Sequence, residues 1–156
     1  MSEPHKLDAI DGKILRILQQ DSTIPHADIA SRVGLSPSPC SRRIRLLQEE
    51  GYVDRYVALM NRSALNLKMT IFMRVTMERQ DQATVERFAK EISKLPRVLE
   101  AYLMAGGYDF LIKMVVADLD DYRSLHFGHI AAIPGVRNVQ TEIPLNEIKH
   151  TTELPI

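Results

Sequence analysis

Three arginines and no acid stand between Ser36 and Leu47, and their spacing divides a helix into two faces. At about 100° per residue, Cys40, Ile44 and Leu47 fall within one narrow apolar arc. Ser38, Arg42 and Arg45 lie almost opposite, with Ser41 and Arg43 flanking them and Ser36 at the helix start. Such a helix packs with one side and offers cations and hydroxyls to an anion with the other. A guanidinium fork can pair with guanine O6 and N7 or bridge phosphates, and a serine hydroxyl can do either. An arginine face merely hydrated by solvent is the plain alternative.

A second constellation is the run Met104-Ala105-Gly106-Gly107-Tyr108-Asp109. Adjacent glycines leave backbone N–H groups uncovered, which suits a carboxylate, and Asp109 could receive an ammonium. Together these are the needs of a free amino acid. A hairpin turn that Asp109 merely caps remains the alternative. His126 and His129 are three apart, a spacing that permits metal binding, but no third ligand accompanies them and exposure is the simpler reading. Cys40, on the apolar arc, reads as an inert buried thiol rather than a redox sensor. Met69, Met73 and Met77 read as core. No phosphate-binding loop, dinucleotide glycine pattern or nucleophile–base constellation is present. No catalytic residue, metal or cofactor is therefore expected.

The elements that position these residues can be read from periodicity. Asp8 caps a helix with Ile10, Ile14, Ile17 and Leu18 on one stripe. A short helix from about His26 to Arg32 buries Ile29, Ala30 and Val33, and Gly34 follows where a helix end turns left-handed. The third helix starts at Ser36-Pro37, tolerates Pro39 in its first turn, and runs to about Glu50. A short helix, a tight turn and a cationic helix form a helix-turn-helix, whose second helix enters the major groove. The pattern from Tyr52 to Met60 predicts one or two short strands, a wing. We place a DNA-binding domain at residues 1–61, a linker at 62–68 and a second domain at 69–156.

In that second domain Met69, Ile71, Met73, Val75 and Met77 alternate as a strand with one covered face. A helix from Gln82 to Lys94, strands at Val98–Met104 and Phe110–Val116, a helix capped by Asp118 and a last strand at Val136–Ile148 follow. The order β-α-β-β-α-β is the split βαβ arrangement, ferredoxin-like, with a four-stranded antiparallel sheet and two helices on one face. The fold class is α+β.

The 156 residues carry a formal net charge of zero, so nucleic-acid binding must rest on local charge, not bulk basicity. The polar start Met1–Lys6 has no signal-peptide core, and no apolar run is long enough for a membrane helix. With one cysteine, a reducing cytoplasm is the expected compartment.

Leu7-Asp8, Asp11, Ile14-Leu15, the run Val33-Gly34-Leu35-Ser36-Pro37-Ser38-Pro39-Cys40, Arg43-Ile44, Leu47 and Gly51-Tyr52-Val53 resemble the DNA-binding domain of the Lrp/AsnC regulators. Leu103 to Leu111, Pro134-Gly135-Val136 and Glu147-Ile148-Lys149 resemble that family's effector-binding domain, so the likeness spans about Leu7 to Ile156. It implies a sequence-specific transcription factor, not an enzyme, that binds double-stranded DNA and answers to an amino acid or related metabolite. It further implies a homodimer paired through its sheets and assembled into a higher oligomer, an octamer in many relatives. The implied DNA-binding residues are Ser36, Ser38, Ser41, Arg42, Arg43 and Arg45. The implied effector residues are Met104, Ala105, Gly106, Gly107 and Asp109, with Thr141 and Ile143 of the last strand nearby. Gly107 stands where many relatives carry an acid. Three competing readings remain: a small metabolic enzyme on the ferredoxin-like domain, which would need a titratable cluster, an effector-binding assembly module whose DNA binding has lapsed, against which the arginines of the third helix speak, and a DNA-organising protein without an effector.

Overall fold

Asp8 begins the order. In the computed structural model, which describes residues 6–156, its carboxylate accepts from the Ile10 and Asp11 amides, both at 2.8 Å. Asp11 reaches back to the Asp8 amide, a reciprocal capping box at the start of α1 (Ala9–Gln20). The polar stretch at the very start lies, as far as His5, outside the described residues. α1 turns Ile14, Leu15 and Leu18 inward. α2 (His26–Val33) buries Ile29, Ala30 and Val33, and Gly34 closes it in the left-handed region at φ 75°. The Leu35 amide then bonds to the Ala30 carbonyl at 2.9 Å, completing the expected C-cap. α3 (Pro37–Glu49) buries Cys40, Ile44 and Leu47. Ser36 holds the N-cap position by backbone geometry alone, since its hydroxyl makes no cap bond. The buried faces of the three helices form one core.

The expected strands between Tyr52 and Met60 do not form. Beyond Gly51, residues 54–60 pair with no strand among the described residues, and Tyr56, Val57, Leu59 and Met60 are exposed. The residue types favour extension, but a ribbon needs a second strand to take its amides and carbonyls, and nothing in this stretch supplies one.

β1 (Met69–Met77) alternates as expected, with Ile71, Met73, Val75 and Met77 buried. α4 (Gln82–Ile92), capped by the Asp81 carboxylate on the Thr84 amide, leads to β2 (Val98–Leu103) and β3 (Phe110–Val116). α5 (Leu119–Leu125) is capped by Asp118 and continues into a π-helical turn, His126–Ile130, before β4 (Val136–Glu142). The sheet order is β2-β3-β1-β4, antiparallel throughout. Phe88 and Ile92 of α4, with Ile130 and Ile133 beyond α5, cover one sheet face, and Phe88 packs on Phe110 at a ring separation of 4.4 Å. β4 ends at Glu142, short of the expected Ile148. Its pairing with β1 stops at Phe72–Glu142, and Pro144 has no amide with which to extend a ladder.

The chain divides into two compact units, residues up to Leu59 together with Lys149–Ile156, and Met60–Ile148.

Candidate nucleic-acid interface and effector turn

On α3 the two faces are physically distinct. Cys40, Ile44 and Leu47 have no solvent exposure, while Ser38, Arg42 and Arg45 are exposed. Burial pushes the Cys40 thiol pKa up, which keeps it protonated and poorly nucleophilic. Arg45 stands 3.5 Å from Glu49 one turn on, with both side chains well exposed, a pair too weak to hold it from another anion. Ser36 is exposed at the helix start. Ser41 is half-buried, its hydroxyl 3.3 Å from Nδ1 of His26 at the start of α2. His26 thus belongs to this surface, and no spacing in the sequence marked it.

Arg43 departs from its expected place. Its Nη1 lies 2.7 Å from Oδ2 of Asp8 and 2.8 Å from Oδ1 of Asp11, and Asp11 is fully buried. Hydrogen bonds to Asp11 and then Asp8 push the Arg43 pKa up, while the Asp11 amide, aided by Arg43, pulls the Asp8 carboxyl down. Arg43 is turned to the base of α1, not to the open face. The helical wheel carried the signal: position 43 stands about 40° from Leu47 and about 100° from Arg42.

In the other unit, Met104, Ala105, Gly106, Gly107 and Asp109 lie in the β2–β3 connection. The Met104 amide donates to the Asp109 carbonyl at 2.8 Å, and the Asp109 amide to the Val75 carbonyl at 2.9 Å, so the turn is sewn to the end of β1. Gly106 and Gly107 are exposed, and a Cβ on either would meet nothing within 4 Å. Both lie outside the left-handed region, so the turn itself does not demand glycine there. What glycine supplies is bare amides that another molecule can approach closely.

Asp109 was expected to face a ligand's ammonium. It is instead buried, with Oδ2 accepting from the Met77 amide and Oδ1 from Gln80 Nε2, both at 2.7 Å. The strand pairing that sets Val75 opposite Phe110 brings this carboxylate against the end of β1, where the Met77 amide meets it. Thr141 and Ile143 do not join the turn within one chain. β4 is level with the end of β1 at Val136–Val139, whereas Thr141 pairs with Met73 and bonds Tyr122 Oη at 2.7 Å. Ile143 lies roughly 13 Å beyond Val139 along an extended chain. Beside the turn stands a residue that the sequence did not single out. The Arg74 guanidinium is 5.3 Å from the Tyr108 ring centre and 2.9 Å from Glu142, and its Nε is buried without a hydrogen bond.

His126 and His129 take part in no cluster of metal-ligating side chains among the described residues. His126 Nδ1 lies 3.3 Å from Tyr122 Oη, and burial lowers its pKa. No helix of the described residues is long and apolar enough to cross a membrane.

Two family models match the chain, a winged helix-turn-helix DNA-binding domain over residues 7–54 and an Lrp/AsnC ligand binding domain over residues 70–154. The leucine-responsive regulatory protein of Escherichia coli is 35% identical over 150 residues, which are 96% of this chain and 92% of that one. A transcriptional regulator of Neisseria meningitidis, solved in complex with L-Met, superposes with a TM-score of 0.92 at 35% identity, covering 96% of this chain and 97% of that one. An AsnC family transcriptional regulator from Agrobacterium tumefaciens gives a TM-score of 0.90 at 40% identity, with the same coverage.

Proposed function

The chain belongs to the Lrp/AsnC family of DNA-binding transcriptional regulators, and from that premise we propose how it reads DNA and what it senses. Ser38, Arg42 and Arg45 are the base and phosphate contacts of α3, Ser36 and Ser41 add hydroxyls at its rim, and Arg43 orients the helix from behind. The observation that carries this reading is the opposition on one helix of a fully buried Cys40–Ile44–Leu47 face and an exposed arginine–serine face. The effector is a small molecule bearing a carboxylate, an amino acid by preference, received on the bare amides of Gly106 and Gly107. The L-Met complex of the Neisseria relative supports that class. One recognition helix makes few contacts, so the working form is a homodimer or a higher assembly such as an octamer, acting in the cytoplasm on paired half-sites. The effector acts by binding one arrangement of the assembly better than another, which shifts how recognition helices are presented to DNA.

The test pairs two measurements. Arg42→Ala and Arg45→Ala should each weaken operator binding by about 1–3 kcal/mol if the residue meets a base, or lower the salt slope by about 1 if it meets a phosphate. Fluorescence anisotropy across a salt series reads both, and wild-type affinity and slope in both variants would reject the DNA face. A thermal-shift screen of the amino acids at millimolar concentration reads the effector, because a ligand that binds only the folded state raises the melting temperature.

A further inference from the structure

The outer side of α1 holds a peptide. Gln19 grips Leu154 at both backbone polar groups: its Oε1 accepts from the Leu154 amide at 2.6 Å, and its Nε2 donates to the Leu154 carbonyl at 3.2 Å. One turn earlier on the helix, Arg16 Nε donates to the Ile156 carbonyl oxygen at 3.3 Å. A single side-chain amide thus gives residue 154 the two bonds that a neighbouring strand would supply.

The captured segment is joined to the rest of the molecule in an ordered way. It follows β4, whose register is set by Val75 and Met77, the same β1 residues that bond Asp109 under the effector turn. From β4 the chain passes through residues 143–150, exposed and without helix or strand, to the clasp. α1 in turn holds α3 through Asp8 and Asp11 on Arg43.

We propose that α1 is a docking surface for the chain's own residues 151–156, and that this clasp makes the recognition helix answer to the ligand-binding domain. The tail is then a second connection between the two domains, beside the linker. Tethering gives a weak clasp a high effective concentration, so three hydrogen bonds suffice to keep it largely closed, and a change at β4 has a route by which to open it. The coupling rests on the effector reading given above; the clasp itself does not.

The experiment uses the full-length chain, the Gln19→Ala variant and a chain ending at His150. Alanine at 19 removes both bonds to Leu154 and favours the helix, so the fold survives; circular dichroism checks it. Two quantities are measured: exchange of the Leu154 amide proton by NMR in the wild type and in Gln19→Ala, and operator affinity with and without L-methionine in all three chains. The Leu154 amide should be protected in the wild type and exchange at the rate of a free peptide in the variant. The ratio of affinities with and without ligand, about fivefold or more in the wild type, should fall towards one in both altered chains. An unprotected Leu154 amide in the wild type would overturn the clasp. Protection that vanishes on diluting the protein would give the site to a second copy's tail and overturn it as an intramolecular device. An unchanged ratio in the altered chains would overturn the coupling. A wild-type ratio of one would count against L-methionine as effector and against any coupling driven by it, while Leu154 protection still decides the clasp.

Discussion

Arg43 Nη1 lies 2.8 Å from Oδ1 of Asp11, a carboxylate with no solvent exposure that stands 32 residues earlier in the chain. The same nitrogen meets Asp8, the N-cap of α1, at 2.7 Å. One guanidinium thereby fixes the middle of the recognition helix to the first turn of another helix. The first turn of α1 and the middle of α3 are held together through it.

Removing that cation takes the Arg43 guanidinium away from a buried carboxylate. Arg43→Ala should therefore destabilise the helical unit by about 3 kcal/mol, and Arg43→Lys, which keeps a cation for the two acids but on a shorter, point-charge head, by less. Urea unfolding followed by circular dichroism measures both. If Arg43→Ala unfolds at the wild-type urea concentration yet loses operator binding, Arg43 reads DNA directly and its assignment as a clamp is wrong.

The Asp8 carboxyl sits below its ordinary value of 3.8, chiefly because the Asp11 amide donates to it and then because Arg43 does. A depressed carboxyl contributes stability that is present above the unfolded value and lost as pH falls through the folded one. Melting temperature should consequently drop between about pH 5 and about pH 3, and less steeply in Asp8→Asn, which still caps the helix but cannot titrate. Asp21 and Asp81, held down by Thr23 and Thr84, keep some acid sensitivity in the variant. Identical slopes for the two proteins would remove Asp8 from the account.

Much of this architecture was legible because local chemistry and burial agree. Ile14 and Leu18, or Met73 and Val75, recur at the period of the element that buries them, and Gly34 or Asp118 marks a helix end through its own geometry. The exposed arginine–serine face of α3 was legible for the same reason, since the helix carries its polarity in its own residues. What could not be read depends on partners far along the chain. Arg43 looked like its neighbours until Asp8 and Asp11 were brought beside it. Asp109 looked available until β1 delivered the Met77 amide to its carboxylate. The strands expected between Tyr52 and Met60 failed the other way: the stretch has strand-forming residues, but no ladder exists without a second strand.

Two left-handed glycines should differ in tolerance. Gly34, at φ 75°, has nothing within 4 Å of where a Cβ would stand, so Gly34→Ala costs only the left-handed strain, about 1 kcal/mol. Gly135, at φ 95°, would place a Cβ 2.9 Å from Thr84 Cγ2 and 3.4 Å from Met77 Cε, at the point where β4 begins. Strain and overpacking add there, and Gly135→Ala should cost about 3 kcal/mol. Chemical denaturation of the two variants ranks them, and a reversed order would contradict the packing described between β1, α4 and the start of β4.

Asp109 offers the sharpest separation of holding from binding. Asp109→Ala leaves the buried Met77 amide without an acceptor, which costs about 2 kcal/mol and frees the turn that carries Gly106 and Gly107. A lost ligand response in that variant would say nothing about charge. Asp109→Asn is the informative change. Its amide oxygen can still accept from Met77, and the Gln80 amide can turn over to offer its oxygen to the new NH2 group. The geometry survives and only the charge goes. Asp109→Asn should accordingly melt close to the wild type and, on the effector reading proposed above, respond to L-methionine as the wild type does, while Asp109→Ala loses both. An Asp109→Asn protein that melts like the wild type but no longer responds would mean that the carboxylate itself meets the ligand's ammonium. The turn would then have to open on binding, because the closed turn keeps that carboxylate buried and occupied by Met77 and Gln80.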